Sequence, residues 1–145
     1  MTDWEYQFIS EQRVARLATV DASGQPAVIP IVYAFDGVAL FTPLDAKPKR
    51  VAAAQLQRVR NINANPSVAV IIDSYSEDWR RLAWVHVRGR ARIITSGDEY
   101  TAGIALLSAK YTQYEHMPLA GRQLIMIEPT RIRSWRASDA AALLD

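Results

Sequence analysis

From Leu82 to Thr95 the chain alternates with a period of two, and this stretch constrains the fold more than any other. Val85, Val87, Gly89, Ala91 and Ile93 share one parity, while Trp84, His86, Arg88, Arg90 and Arg92 share the other. Successive side chains of a strand point to opposite faces, so one face suits a core and the other presents aromatics and cations. A strand with one wet face belongs in an antiparallel sheet rather than in a parallel sheet covered on both sides.

Other segments agree with that frame. Val14 to Val20 reads as a strand closed by the turn Asp21-Ala-Ser-Gly24. Pro26 to Phe35 is a long β-rich run, Asp36-Gly37 is a hairpin signal, and Val38 to Thr42 is the returning strand, so these three predict a meander. Ser67 to Asp73 is apolar on both parities, as in a central strand. Gln123 to Ile127 and Arg131 to Arg136 read as two last strands hinged at Glu128-Pro129.

Helices are predicted from Asp3 to Arg13, capped by Thr2 or Asp3, and from Gly97 to Tyr111, with Tyr100, Ile104 and Leu107 on one side. Another begins near Pro48, carries Ala52, Leu56 and Val59 as its apolar stripe, and stops at Asn65-Pro66. Ser138 to Leu144 has room for one more short helix. The sum is a single domain over residues 1–145: a mainly β, six- to seven-stranded antiparallel barrel with inserted and flanking short helices.

Composition excludes several chemistries. The chain has no cysteine, hence no disulfide, thiolate metal site or thiol nucleophile, which fits the cytoplasm. Its N-terminus shows no leader pattern, and its apolar runs fall short of the roughly 20 residues that span a bilayer. With only His86 and His116, no metal site is expected. There is no Gly-rich phosphate loop and no evident nucleophile elbow. His86 shares a face with Trp84 and Arg88 and reads as structural or cofactor-adjacent, with proton donation as the alternative.

Net charge is only +2, but its distribution is uneven. No acidic residue lies between Asp45 and Asp73, whereas Lys47, Lys49, Arg50, Arg58 and Arg60 all do. Thr42, Lys47, Lys49 and Arg50 fall at the end of a strand and the beginning of a helix, where free amides and the helix dipole favour an anion. On a helical wheel Arg60 returns close to Lys49. A phosphate site and a basic helix cap both satisfy this pattern. Nucleic-acid binding fits less well, because aromatics do not interleave with these cations.

The ordered set Val28-Ile-Pro-Ile-Val32, Asp36-Gly37, Phe41-Thr42, Lys47-Pro-Lys-Arg50, Arg60-Asn-Ile62 and Asn65-Pro66 resembles the pyridoxamine 5'-phosphate oxidase-like, FMN-binding split-barrel superfamily. Trp84-Val-His-Val-Arg-Gly89, the preceding Ser74 to Leu82, Lys110-Tyr111 and Gln113-Tyr114 extend the likeness over nearly the whole chain. Within the superfamily the chain is most similar to the deazaflavin (coenzyme F420)-dependent oxidoreductases.

That resemblance implies a homodimer with the cofactor at its interface. The cofactor ring would lie against Val28, Ile29, Pro30, Ile31 and Val32, and its phosphate against Thr42, Lys47, Lys49 and Arg50, with Arg60 near enough along the helix to join the cofactor pocket. Trp79, Trp84 and Arg88 of a partner would close the pocket. The implied activity is hydride transfer from coenzyme F420, or alternatively FMN, to a small unsaturated substrate, with Tyr75, Tyr111 and His86 as candidate proton donors. A non-catalytic flavin or deazaflavin carrier is the remaining alternative. The oxidases of vitamin B6 carry a basic residue near the position of Ala27, which argues against that substrate here. No nucleic-acid or membrane partner is implied.

Overall fold

The computed structural model describes residues 1–44 and 49–139, with the helical backbone alone for residues 49–56. Helix α1 (Asp3–Glu11) opens the chain. Thr2 caps it: its hydroxyl accepts from the Glu5 amide at 3.3 Å, and the Glu5 carboxylate accepts from the Thr2 amide at 2.8 Å. A reciprocal cap of this kind contributes about 1 kcal/mol.

Seven strands follow in one antiparallel sheet: β1 (Ala15–Val20), β2 (Pro26–Ile31), β3 (Ala34–Phe35), β4 (Leu40–Pro43), β5 (Ser67–Ser74), β6 (Ala83–Ile94) and β7 (Leu124–Arg136). Helix α2 (Lys49–Ala64) lies between β4 and β5, and α3 (Asp98–Lys110) between β6 and β7. The spatial order is β2-β1-β5-β6-β7-β4-β3.

That order corrects the expected meander. The run from Pro26 to Phe35 divides at Val32-Tyr33: β2 pairs with β1 at one edge of the sheet, and β3 pairs with β4 at the other. So short a connection reaches no more than about 10 Å. The sheet must therefore curl until its two edges meet, which is what makes it a barrel. Tyr33 is fully buried at the closure, and its hydroxyl donates to the Ile9 carbonyl at 2.5 Å. The Asp36-Gly37 turn stands where expected: Asp36 accepts from the amides of Val38 and Ala39, and Gly37 adopts a φ of +95°.

The second correction concerns the C-terminal strands, which are one. Pairing of β6 with β7 steps from Arg88↔Arg131 to Gly89↔Pro129, leaving Thr130 as the extra residue of a bulge. Gly89 makes room for it, because a Cβ there would stand 2.7 Å from the Glu128 carbonyl oxygen. The bulge bends β7 without ending it, so Glu128-Pro129 does not separate two strands.

The curled sheet wraps a core of Leu17, Val68, Val70, Ile72, Val85, Val87, Ile125 and Ile127. A second cluster, with Phe41, Leu107, Leu119 and Leu124, lies under α3. Helix α2 contributes Val59 and Ile62 to the main core, and its buried Asn61 donates to the Thr19 hydroxyl at 3.0 Å. Of the tail helix expected over Ser138 to Leu144, Ser138 and Asp139 are helical, and the residues beyond 139 lie outside the described residues.

Candidate functional site

The parity of β6 is kept in the structure: Val85, Val87, Gly89 and Ala91 are buried, whereas Arg88, Arg90 and Arg92 are exposed. Strand register extends this sidedness across the sheet. One outward row runs Val28, Ala18, Ala69, Arg88, Arg131, and the next runs Pro30, Arg16, Ile71, His86, Arg133. A third row holds Asp73, Trp84 and Trp135. The second apolar parity of β5, Ala69 and Ile71, therefore belongs to this outer face and is only half-buried.

A cavity of about 440 Å³ opens on that face, lined by Ile71, Asp73, Trp84, His86, Arg88 and Arg133. A second hollow, about 370 Å³, shares Arg88 and extends past Ala18, Ala69 and Thr130. The acid in the main cavity is engaged sideways, since Asp73 accepts from Arg16 at 2.8 Å. Among the described residues Arg88, Arg131 and Arg133 form no ion pair. Arg92, one turn of the pleat away, is held by Glu99 and by Glu128.

Three of the residues singled out in the sequence, Trp84, His86 and Arg88, thus meet in one cavity. Sequence reading missed Arg133, Ile71 and Asp73. The signal for Arg133 was present, because Arg131, Arg133 and Trp135 alternate just as β6 does, but only the register shows that Arg133 faces His86.

The other expected residues are dispersed. Of the five in the Val28–Val32 run, Val28 is 63% exposed and Pro30 is exposed, both on the outer face; Ile29 packs on the core opposite Leu17, and Ile31 is buried. Val32 is half-buried at the closure. Because β2 ends the sheet order, one side of its backbone is not paired within the sheet.

Thr42 is only 2% exposed, paired in register with Ile125, so its hydroxyl does not open onto the surface. Lys47 lies outside the described residues, as do the side chains of Lys49 and Arg50, although both backbones fall in the first turn of α2. Arg60 is exposed in a separate cleft of about 320 Å³ with Asp21, Ser23, Gln57 and Asn61. Helical rise puts the Lys49 and Arg60 backbones about 16 Å apart, so only a long ligand reaches both. Tyr75 and Trp79, each 68% exposed, stand on the β5–β6 connection outside the cavity.

A second constellation of cations and aromatics lies beside the barrel closure. The Lys110 ammonium sits 4.0 Å from the Tyr33 ring centroid and 5.4 Å from that of Tyr111, and donates to the Gln12 carbonyl at 2.6 Å. Arg13 donates to the Lys110 carbonyl and stacks on Tyr111. The Tyr111 oxygen accepts from the Tyr33 amide at 3.1 Å, and its hydroxyl lies within donating reach of the carbonyls of Arg13 and Tyr33. Burial, assisted by the Arg13 charge, lowers the Lys110 pKa to about 8. Burial pushes both tyrosines up. The Tyr111 hydroxyl is thus engaged with backbone groups of Arg13 and Tyr33.

Comparison with known proteins adds the family. The model of the pyridoxamine 5'-phosphate oxidase family matches residues 1–136. The chain belongs to that family. Among curated proteins no sequence matches it. A FAD-binding protein from Mesorhizobium loti is 19% identical with a TM-score of 0.69, the match covering 92% of this chain and 94% of that one. The heme storage protein HutZ from Vibrio cholerae is 18% identical with a TM-score of 0.68, covering 92% of each. An F420 reductase is 26% identical with a TM-score of 0.59, covering 88% of this chain and 94% of that one. The fold is that of the split-barrel superfamily, which supports a cofactor of flavin type.

Proposed function

We propose that this chain is a homodimeric oxidoreductase that binds coenzyme F420 and transfers hydride to an unsaturated organic substrate. The observation that carries the reading is the outer face, where arginines without acidic partners among the described residues stand beside a tryptophan and a half-buried isoleucine, with the edge strand β2 on the same surface. Such a face suits a flat cofactor with its substrate alongside: Val28 and Pro30 on β2 offer apolar contact, and the cavity of Ile71, Trp84 and Arg88 stands beside them. Lys49, Arg50 and Arg60 along α2 suit the phosphate and acidic tail of a long cofactor. When bound and reduced, that cofactor supplies the hydride, and the protein orients and excludes water. The resemblance to an F420 reductase supports the choice of cofactor.

A second copy completes the site. Val28, Trp135 and Trp84 share the outer face with the cavity, and an exposed patch of large apolar groups favours a partner. Light scattering at micromolar protein is expected to give twice the monomer mass, and a monomer would remove the shared-site reading.

Tryptophan fluorescence titrated with coenzyme F420 and with FMN in parallel tests the cofactor. The expected result is tight binding of coenzyme F420 alone, weakened in Lys49→Ala. Preference for FMN supports the alternative that the FAD-binding relative suggests, an FMN oxidoreductase on the same fold. Binding without hydride transfer to any electron-poor alkene would make the protein a carrier, and binding of neither cofactor would sink the reading.

A further inference from the structure

We infer that the cavity between Ile71, Trp84, His86, Arg88 and Arg133 is a substrate subsite for a flat, apolar-bodied molecule carrying a carboxylate. This deepens the oxidoreductase reading, and its designation as a substrate site rests on that reading. The binding chemistry itself rests on the cavity alone.

Four features point to this ligand. Register places Arg133 directly across from His86 and diagonal to Arg88. Diagonal neighbours on antiparallel strands stand about 7–8 Å apart, a gap that one carboxylate spans with a charge-assisted hydrogen bond of about 2.8 Å to either side. Neither guanidinium has an acidic partner among the described residues, and the one carboxylate in the lining, Asp73, is turned to Arg16 at 2.8 Å. Trp84 supplies an aromatic wall and Ile71 an apolar floor, both half-buried.

The cavity volume, about 440 Å³, lies within the range of small-molecule sites. Its position also separates it from the cofactor strip. The strands β2, β1, β5 and β6 are consecutive, so His86 stands about 14 Å across the face from Pro30 at ordinary strand spacing. A ring lying along β2 and β1 therefore reaches the edge of the cavity without filling it.

The test uses 2-naphthoate as probe and 2-naphthamide as its uncharged counterpart, both read by tryptophan fluorescence on the purified full-length protein. Wild type is expected to bind the carboxylate at least about tenfold more tightly than the amide. Arg133→Leu is expected to remove that preference, and Arg133→Lys to restore part of it. Circular dichroism of each variant checks that it is folded.

Equal affinity for acid and amide, or an unaltered preference in Arg133→Leu, overturns the proposal. Coenzyme F420 and naphthoate are expected to bind together; mutual exclusion would assign the cavity to the cofactor and overturn the substrate designation. If neither cofactor binds but the Arg133-dependent preference persists, the function reading fails and the carboxylate site stands. If cofactor binds and the preference is absent, the reverse holds.

Discussion

Two clusters in this molecule set cations against aromatic rings and differ in how their polar groups are satisfied. Beside the barrel closure, Lys110 and Arg13 meet Tyr33 and Tyr111, and every polar group has a backbone partner. On the outer face, Arg88 and Arg133 meet Trp84 and His86, and the guanidinium groups have none among the described residues. The first cluster is complete within the fold and reads as a clasp. The second leaves its exposed guanidinium groups open to water or to a ligand. Partner satisfaction, not composition, separates a structural cluster from a binding one.

Mutations should break the two clusters differently. Tyr33→Ala removes a fully buried ring from the closure, and urea unfolding is expected to report a loss of about 3–5 kcal/mol. Tyr111→Phe leaves the Tyr33 amide without its acceptor, and the same measurement should lose about 1–3 kcal/mol. If either substitution were neutral, the clasp would be decoration.

Next in size is an effect of pH. The folded-state pKa of Lys110, about 8, lies below its ordinary value of 10.5, so between those values the unfolded chain binds the extra proton. The contribution of this group to stability therefore rises as pH increases from about 8 toward 10.5. The tyrosines act oppositely: their folded values lie above 10.0, so their contribution falls as pH passes that point. Unfolding midpoints in urea are expected to climb from pH 8 and then turn over, and Lys110→Met should abolish the climb. A climb that survives in Lys110→Met would assign it to another group.

The smallest effect on stability belongs to the open cluster. Arg88→Leu and Arg133→Leu are expected to shift unfolding free energy by no more than about 0.5 kcal/mol, because each removes an exposed charge with no ion-pair partner among the described residues. The same substitutions should still weaken anionic ligands. A large loss of stability in either variant would mean that the cations are already satisfied within the chain and that the contrast between the clusters fails.

Much of this contrast was legible in the sequence. The sidedness of β6 followed from a period of two, which no tertiary contact can undo without slipping the strand, so Trp84, His86 and Arg88 were placed on one face correctly. The family resemblance agrees with the match to residues 1–136. The division of Pro26 to Phe35 was not legible, because both halves have strand composition and the break at Tyr33 is stabilised by Tyr111, 78 positions away in sequence. Arg133 was missed for a related reason: its neighbours are set by register between strands, and the bulge at Thr130 changes that register by one residue. The basic segment at the start of α2 was legible as a pattern, yet Lys47 and the side chains of Lys49 and Arg50 lie outside the described residues.

The place of β7 in the sheet has a consequence for the order in which the protein matures on the ribosome. The β3–β4 hairpin joins the rest of the sheet through β7, which lies between β6 and β4. Leu124 emerges on the order of eighty residues after Pro43, so the early hairpin waits for its neighbour while a long intervening segment is synthesised. Until then β6 offers one naked edge and β4 another, the kind of exposed backbone that invites pairing with other nascent chains. Barrel closure therefore waits for β7, the last strand of the sheet in chain order.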